Sequence, residues 1–167
     1  MFNSNIISTK NKNIFKLSPL ISIETTFMKL LYPIQENFNN IILKTEFTNL
    51  IEKKENELYQ KIKQIEQFYF TKFQKYLDDN YYNKKIVLKS QINQTNNFKP
   101  FLITKVLKKK YKIETIVVNE EGNKISLFDL KPKNLLKMNI FIDNLWISNN
   151  NELVIKWKIS TINLKNL

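Results

Sequence analysis

The chain has no cysteine, histidine, arginine or alanine, and it has one glycine and four prolines in 167 residues. Each absence removes a class of chemistry. Without Cys or His there is no disulfide, no zinc site of nitrogen and sulfur ligands, no thiol nucleophile and no imidazole base. Gly122 alone cannot build the glycine-rich loops that cradle nucleotide phosphates. A spanning helix needs about 20 consecutive apolar residues. The longest apolar runs, such as Ile140-Phe141-Ile142 and Leu145-Trp146-Ile147, are far shorter, so no transmembrane segment is expected. Asp78 and Asp79 are adjacent, but they read as a helix stop, and no other spacing converges two carboxylates. The chain is therefore read as a non-enzyme with no metal, no cofactor and no small-molecule substrate.

What the chain has is positive charge and apolar bulk. Its 27 lysines face 15 acidic residues, for a formal charge of +12. Twelve Phe, seven Tyr and two Trp within a 43% hydrophobic fraction are enough to bury a core. Lys, Asn, Ile, Phe and Tyr together exceed half the chain. Their codons are mostly A and T, whereas Ala, Pro, Gly and most Arg codons need G or C. Nucleotide bias in the gene thus explains the absences, and missing Arg says nothing about phosphate recognition because Lys supplies the charge by default.

This composition resembles that of proteins from very AT-rich genomes, notably protist mitochondrial genomes, and similar bias occurs in some plasmids and viruses. The resemblance covers the whole chain and is compositional, so it points to a kind of genome and to no family; together with the charge distribution below, it leads to the expectation of a mitochondrially encoded ribosomal protein of the mitochondrial matrix.

Charge and periodicity divide the chain into three zones. Residues 1–40 read as a basic N-terminal extension with short elements, carrying Lys10, Lys12 and Lys16 and no acid before Glu24. Such a segment serves as a solvated tail, an organellar presequence or an arm along RNA. Residues 41–80 read as one long helix, running from about Glu46 to Lys75 or a little beyond. Ile51, Leu58, Ile62, Ile65, Tyr69, Phe73 and Tyr76 recur at helical steps and make one stripe, which packs on the chain's own β-domain or docks a neighbouring protein of a large assembly. Residues 86–167 hold fourteen lysines against six acids and read as a lysine-rich β domain.

Strand-like runs are expected at 86–92, 101–107, 111–118, 124–130, 138–147 and 152–162. Hairpins are expected around Gly122 and around Asn149-Asn150-Asn151. Leu153, Ile155, Trp157 and Ile159 share one face of the last strand, which places Trp157 in the core although Lys156 and Lys158 flank it. The fold class expected is α+β: a long amphipathic helix followed by a small antiparallel barrel or sandwich of five or six strands. An oligonucleotide-binding or SH3-like barrel is the fold-level analogy.

Lys105, Lys108, Lys109, Lys110 and Lys112 crowd around Tyr111, and Lys131, Lys133 and Lys137 follow. Crowded ammonium groups repel one another, and phosphates relieve that repulsion. These loops and the N-terminal lysines are the expected nucleic-acid contacts. The expected function is a structural, rRNA-binding component of a mitochondrial ribosome, holding phosphates by point charge. Two alternatives stand beside it. One is a soluble accessory subunit of a mitochondrial respiratory or ATP-synthase complex; the other is a single-strand nucleic-acid-binding protein of an AT-rich plasmid or virus.

Overall fold

The structure, a computed structural model, describes residues 3–34, 36–37, 40–80 and 82–166. Its strands are β1 (Asn5–Ser8), β2 (Ile14–Glu24), β3 (Met28–Leu30) and β4 (Asn40–Glu46), then helix α1 (Lys53–Asp79). After the helix come β5 (Val87–Lys89), β6 (Phe101–Val106), β7 (Ile116–Val118), β8 (Leu135–Ile147), β9 (Glu152–Ile155) and β10 (Lys158–Lys165).

Alternation decides which wall each residue faces. On β4, Ile41, Leu43 and Thr45 are buried while Asn40, Ile42 and Lys44 look outward. On β6, Leu102, Thr104 and Val106 are buried between Phe101, Ile103 and Lys105. Strand β8 buries Leu136, Met138, Ile140 and Ile142, then changes phase and buries Leu145 and Ile147. Its pairing with β2 shifts register at the same place, between Ile142 and Asn144, so the irregularity re-aims the strand.

The pairings close a ring. β8 pairs antiparallel with β2 and β3, β3 with β4, and β4 with β6; β6 runs parallel to β10, and β10 returns antiparallel to β8. Between β2 and β3, Thr25 holds the wall together, its N–H donating to the Met138 carbonyl at 2.8 Å and its hydroxyl accepting from the Met138 N–H at 2.9 Å. A five-stranded closed barrel with one parallel pair in this order is the oligonucleotide-binding fold.

Helix α1 sits between β4 and β6 in the chain and packs on the barrel. Leu58, Ile62, Ile65, Tyr69 and Phe73 are buried. Phe73 meets Phe15 at 4.7 Å between ring centroids, and Tyr59 meets Phe47 at 5.3 Å, both edge to face. Burying each such side chain contributes roughly 1.5–3 kcal/mol. Two buried carboxylates fasten the helix. Glu55, in the first helical turn, accepts the Thr48 and Asn49 backbone N–H groups at 2.5 and 2.7 Å and so ties that turn to the chain leading into it. Glu66 accepts from the Ser90 hydroxyl at 2.6 Å, the Gln91 N–H at 3.0 Å and the Trp157 indole N–H at 3.3 Å. Among the described residues no helix is long and apolar enough to cross a membrane.

Several expectations are corrected here. The fold is mostly β, with a mixed sheet, and the helix is an insertion between barrel strands rather than a prelude to a small antiparallel barrel. The sequence between 14 and 46, expected as short elements and helix, supplies three barrel-wall strands. The N-terminal segment is not a solvated tail: β1 pairs with β2, and the Lys72 ammonium donates to the Ser4 carbonyl at 2.5 Å. The helix stripe faces the chain's own core, so Leu58, Ile62, Ile65, Tyr69 and Phe73 offer nothing to a partner; Tyr76 is half-buried against Phe15 at 5.7 Å. Ile51 precedes the helix and is 97% exposed. Both expected hairpins form, with Gly122 at φ 81° and Asn151 at φ 58°.

Candidate nucleic-acid interface

The register of the barrel strands assembles one outward surface. On β4 and β6, Ile42 stands opposite Lys105 and Lys44 opposite Ile103. The parallel pairing of β6 with β10 places Lys105 beside Lys158, and the Lys105 N–H donates to the Trp157 carbonyl at 2.8 Å. Lys156 comes two residues before Lys158 and therefore points the same way, while Trp157 between them turns inward and is buried. Across the β8–β9 pairing Trp146 stands opposite Val154, and the Lys156 ammonium lies 4.5 Å from the Trp146 ring centroid. At the other margin Lys44 Nζ lies 5.4 Å from the Tyr32 ring and 5.8 Å from the Phe101 ring.

The electrostatics of this surface differ from those elsewhere on the chain. Lys158 is paired with Asp143 at 2.7 Å, but among the described residues Lys44, Lys105 and Lys156 have no carboxylate partner. Burial, then repulsion from Lys156 and Lys158, holds the Lys105 ammonium below the ordinary lysine pKa. Burial, then Lys158, does the same to Lys156. Cations held close together and partly stripped of water are poised to accept an anion. Between them lies a half-open pocket of about 160 Å³, lined by Ile42, Ile103, Val154, Lys105 and Lys156. A neighbouring concavity of about 500 Å³ shares Gln91, Ile103 and Val154 with it and reaches Trp146. Rings to stack bases beside cations for phosphates are the two components that single-strand recognition uses.

The lysines singled out in the sequence meet several fates. Lys105 is at the centre of the surface. Lys108 is ion-paired with Glu36, its side chain 10% exposed, so its charge is already met. That pair ties the small hairpin of Lys108–Lys109 and Lys112–Ile113 to the segment leading into β4. Lys109, Lys110, Tyr111 and Lys112 stand exposed at its tip, with Lys110 at φ 53°. Lys16 lies opposite Asn144 on β2, on the outer surface one strand over from Trp146. Lys10 and Lys12 are exposed in the turn between β1 and β2.

Lys131, Lys133 and Lys137 are elsewhere. Lys137 stands opposite Asn163, near the far end of β10 from Lys158, and is paired with Glu24 at 2.7 Å. Five residues along a strand is roughly 16 Å, so these lysines do not join the Lys105 cluster. Sequence reasoning missed Tyr32, Lys44, Phe101 and Trp146, and took Lys156 only as a flank of Trp157. The alternation that put Trp157 inside carried the one available signal, since it also turned Lys156 outward.

No family model matches the chain, and no curated protein matches it in sequence. Its fold is similar to that of several solved structures, among them the following three. The first is gp2.5, a single-stranded DNA-binding protein encoded by bacteriophage T7, at 10% identity and a TM-score of 0.63, covering 89% of this chain and 87% of that one. The second is a C-terminal truncation of the single-stranded DNA-binding protein from bacteriophage Enc34, at 12% identity and a TM-score of 0.58, covering 97% and 95%. The third is the single-stranded DNA-binding protein from bacteriophage Enc34, at 12% identity and a TM-score of 0.51, covering 96% and 89%. At such identities the likeness establishes the fold alone. It overturns the expectation of a ribosomal protein held on rRNA within a large assembly, and it equally gives no support to a respiratory or ATP-synthase subunit.

Proposed function

We propose that the chain is a non-enzymatic single-stranded DNA-binding protein, running the strand over the outward surface of β4, β6 and the β8–β9 ribbon. The observation that carries the reading is the meeting of unpaired Lys44, Lys105 and Lys156 with Tyr32, Phe101 and Trp146 on one wall of an oligonucleotide-binding barrel. The similarity to phage single-stranded DNA-binding proteins supports it. Phosphates sit against the ammonium groups as point charges, and bases stack on the rings without being read by sequence. Duplex DNA hides its base faces and offers only backbone to such a surface, so the preference is for the single strand.

Fluorescence anisotropy of a labelled oligonucleotide, single-stranded and then annealed to its complement, tests this across a salt series. The single strand is expected to bind more tightly at every salt concentration, with affinity falling as salt rises. Equal affinity for both forms, or binding indifferent to salt, contradicts the reading. The same oligonucleotide as RNA separates a general single-strand binder from one that prefers DNA.

A further inference from the structure

The pocket between Lys105 and Lys156 is smaller and more apolar than phosphate contact requires. Its walls are Ile42, Ile103 and Val154, and Ile42 is 48% exposed where an aliphatic side chain gains nothing from water. Its volume of about 160 Å³ is that of a cavity which takes one benzene ring, roughly 150 Å³. The amides of Asn40 and Gln91 line it as well, each offering a donor and an acceptor. Apolar walls, amide groups and a size of one ring describe a site for a flat heterocycle with polar edges.

We propose that this pocket holds a single-ring base, a pyrimidine, of the bound strand, with the phosphate beside it lying on Lys105 and Lys156 and the adjoining base stacked on Trp146. The proposal rests on the single-strand reading above and adds base selection to it. Cytosine and thymine both place exchangeable donors and acceptors on the edge that Asn40 and Gln91 can meet. A purine carries a second ring that the walls leave outside, so its apolar face is less covered and its polar edge is displaced from the amides.

The test compares oligo(dT), oligo(dC) and oligo(dA) of equal length at fixed salt, on the full chain and on Ile42→Ala/Ile103→Ala. Wild type is expected to favour both pyrimidine polymers by about tenfold, the low end of what a shape-fitted apolar pocket achieves. Widening the pocket is expected to bring the ratio toward one while the salt slope stays unchanged, because no phosphate contact is removed. Both isoleucines lie on the outward face, so the barrel core is untouched. Gln91→Ala, which leaves the apolar walls intact, is expected to weaken oligo(dT) and oligo(dC) more than oligo(dA). Adenine runs resist unstacking by themselves, so a preference that survives the widened pocket belongs to the DNA and overturns the proposal. Equal binding of all three polymers to wild type also overturns it while leaving the single-strand reading standing. Failure of all three to bind refutes that reading and this proposal together.

Discussion

Two layers of one wall behave oppositely although they are built from alternate residues of the same segment. Outward, Lys156 and Lys158 meet Trp146 and Asp143; inward, Trp157 lies under them and donates its indole N–H to Glu66. Both layers contain a tryptophan and a charged group. The inner pair is dry and hydrogen-bonded, and holds helix to barrel. The outer set is half wet and lacks full charge compensation, and so is available to a ligand. Residue type therefore does not separate stability from binding here; the face of the strand does.

The comparison breaks most easily at Trp157. Trp157→Ala is expected to lower unfolding free energy by about 3–5 kcal/mol, since it empties a fully buried site. Denaturant melting measures this, and a loss under about 1 kcal/mol would place Trp157 in the binding layer instead.

Glu66 comes next. Glu66→Ala leaves the buried Trp157 indole N–H and the part-buried Ser90 hydroxyl and Gln91 N–H without their acceptor, at about 1–3 kcal/mol, whereas Glu66→Gln keeps an acceptor oxygen and is milder. Burial raises the Glu66 pKa above its ordinary value, against the lowering pull of Ser90, Gln91, Trp157 and Lys63. A raised folded-state pKa means that the folded chain holds the proton better than the unfolded one. The resulting stability is fully present below pH 4.5, the ordinary value, and is lost as pH rises through the raised value. Melts across that window are expected to show this slope in wild type and to lack it in Glu66→Gln.

In the outer layer the expected effect is on binding alone. Trp146→Ala is expected to weaken single-strand affinity by roughly 1–3 kcal/mol, the value of one stacked base, with the melting curve nearly unchanged. Anisotropy and melting on the same preparation check both halves. A large stability loss with intact binding would merge the two layers.

Much of the local structure was legible. The 3.6-residue stripe marked the helix, and Gly122 and the Asn149–Asn151 run marked the turns. The alternation through Leu153 and Ile159 put Trp157 inside. Barrel closure was not legible, for three local reasons. Residues 40–46 run without Pro or Gly into the helical zone, and outward Ile42 blurs their alternation. The buried positions change phase between Ile23 and Met28. Pro19 interrupts β2 in the middle of its run.

The site was legible only in part, because lysine runs draw attention while pairing decides charge. Lys108 and Lys137 are met by Glu36 and Glu24, each more than seventy residues away in the chain. Lys44 stands alone in the sequence and reaches Tyr32 and Phe101 only through strand pairing.

The central claim is that unpaired lysines on the outer wall, rather than lysine in general, carry the DNA. Two triple variants with the same charge change test it on oligo(dT): Lys44, Lys105 and Lys156 to Gln, and Lys131, Lys133 and Lys137 to Gln. The plot of log affinity against log salt is expected to lose about 2 from its slope in the first variant, at about 0.7 per phosphate, and to keep its slope in the second. Equal losses, or a loss confined to the second variant, would contradict the account.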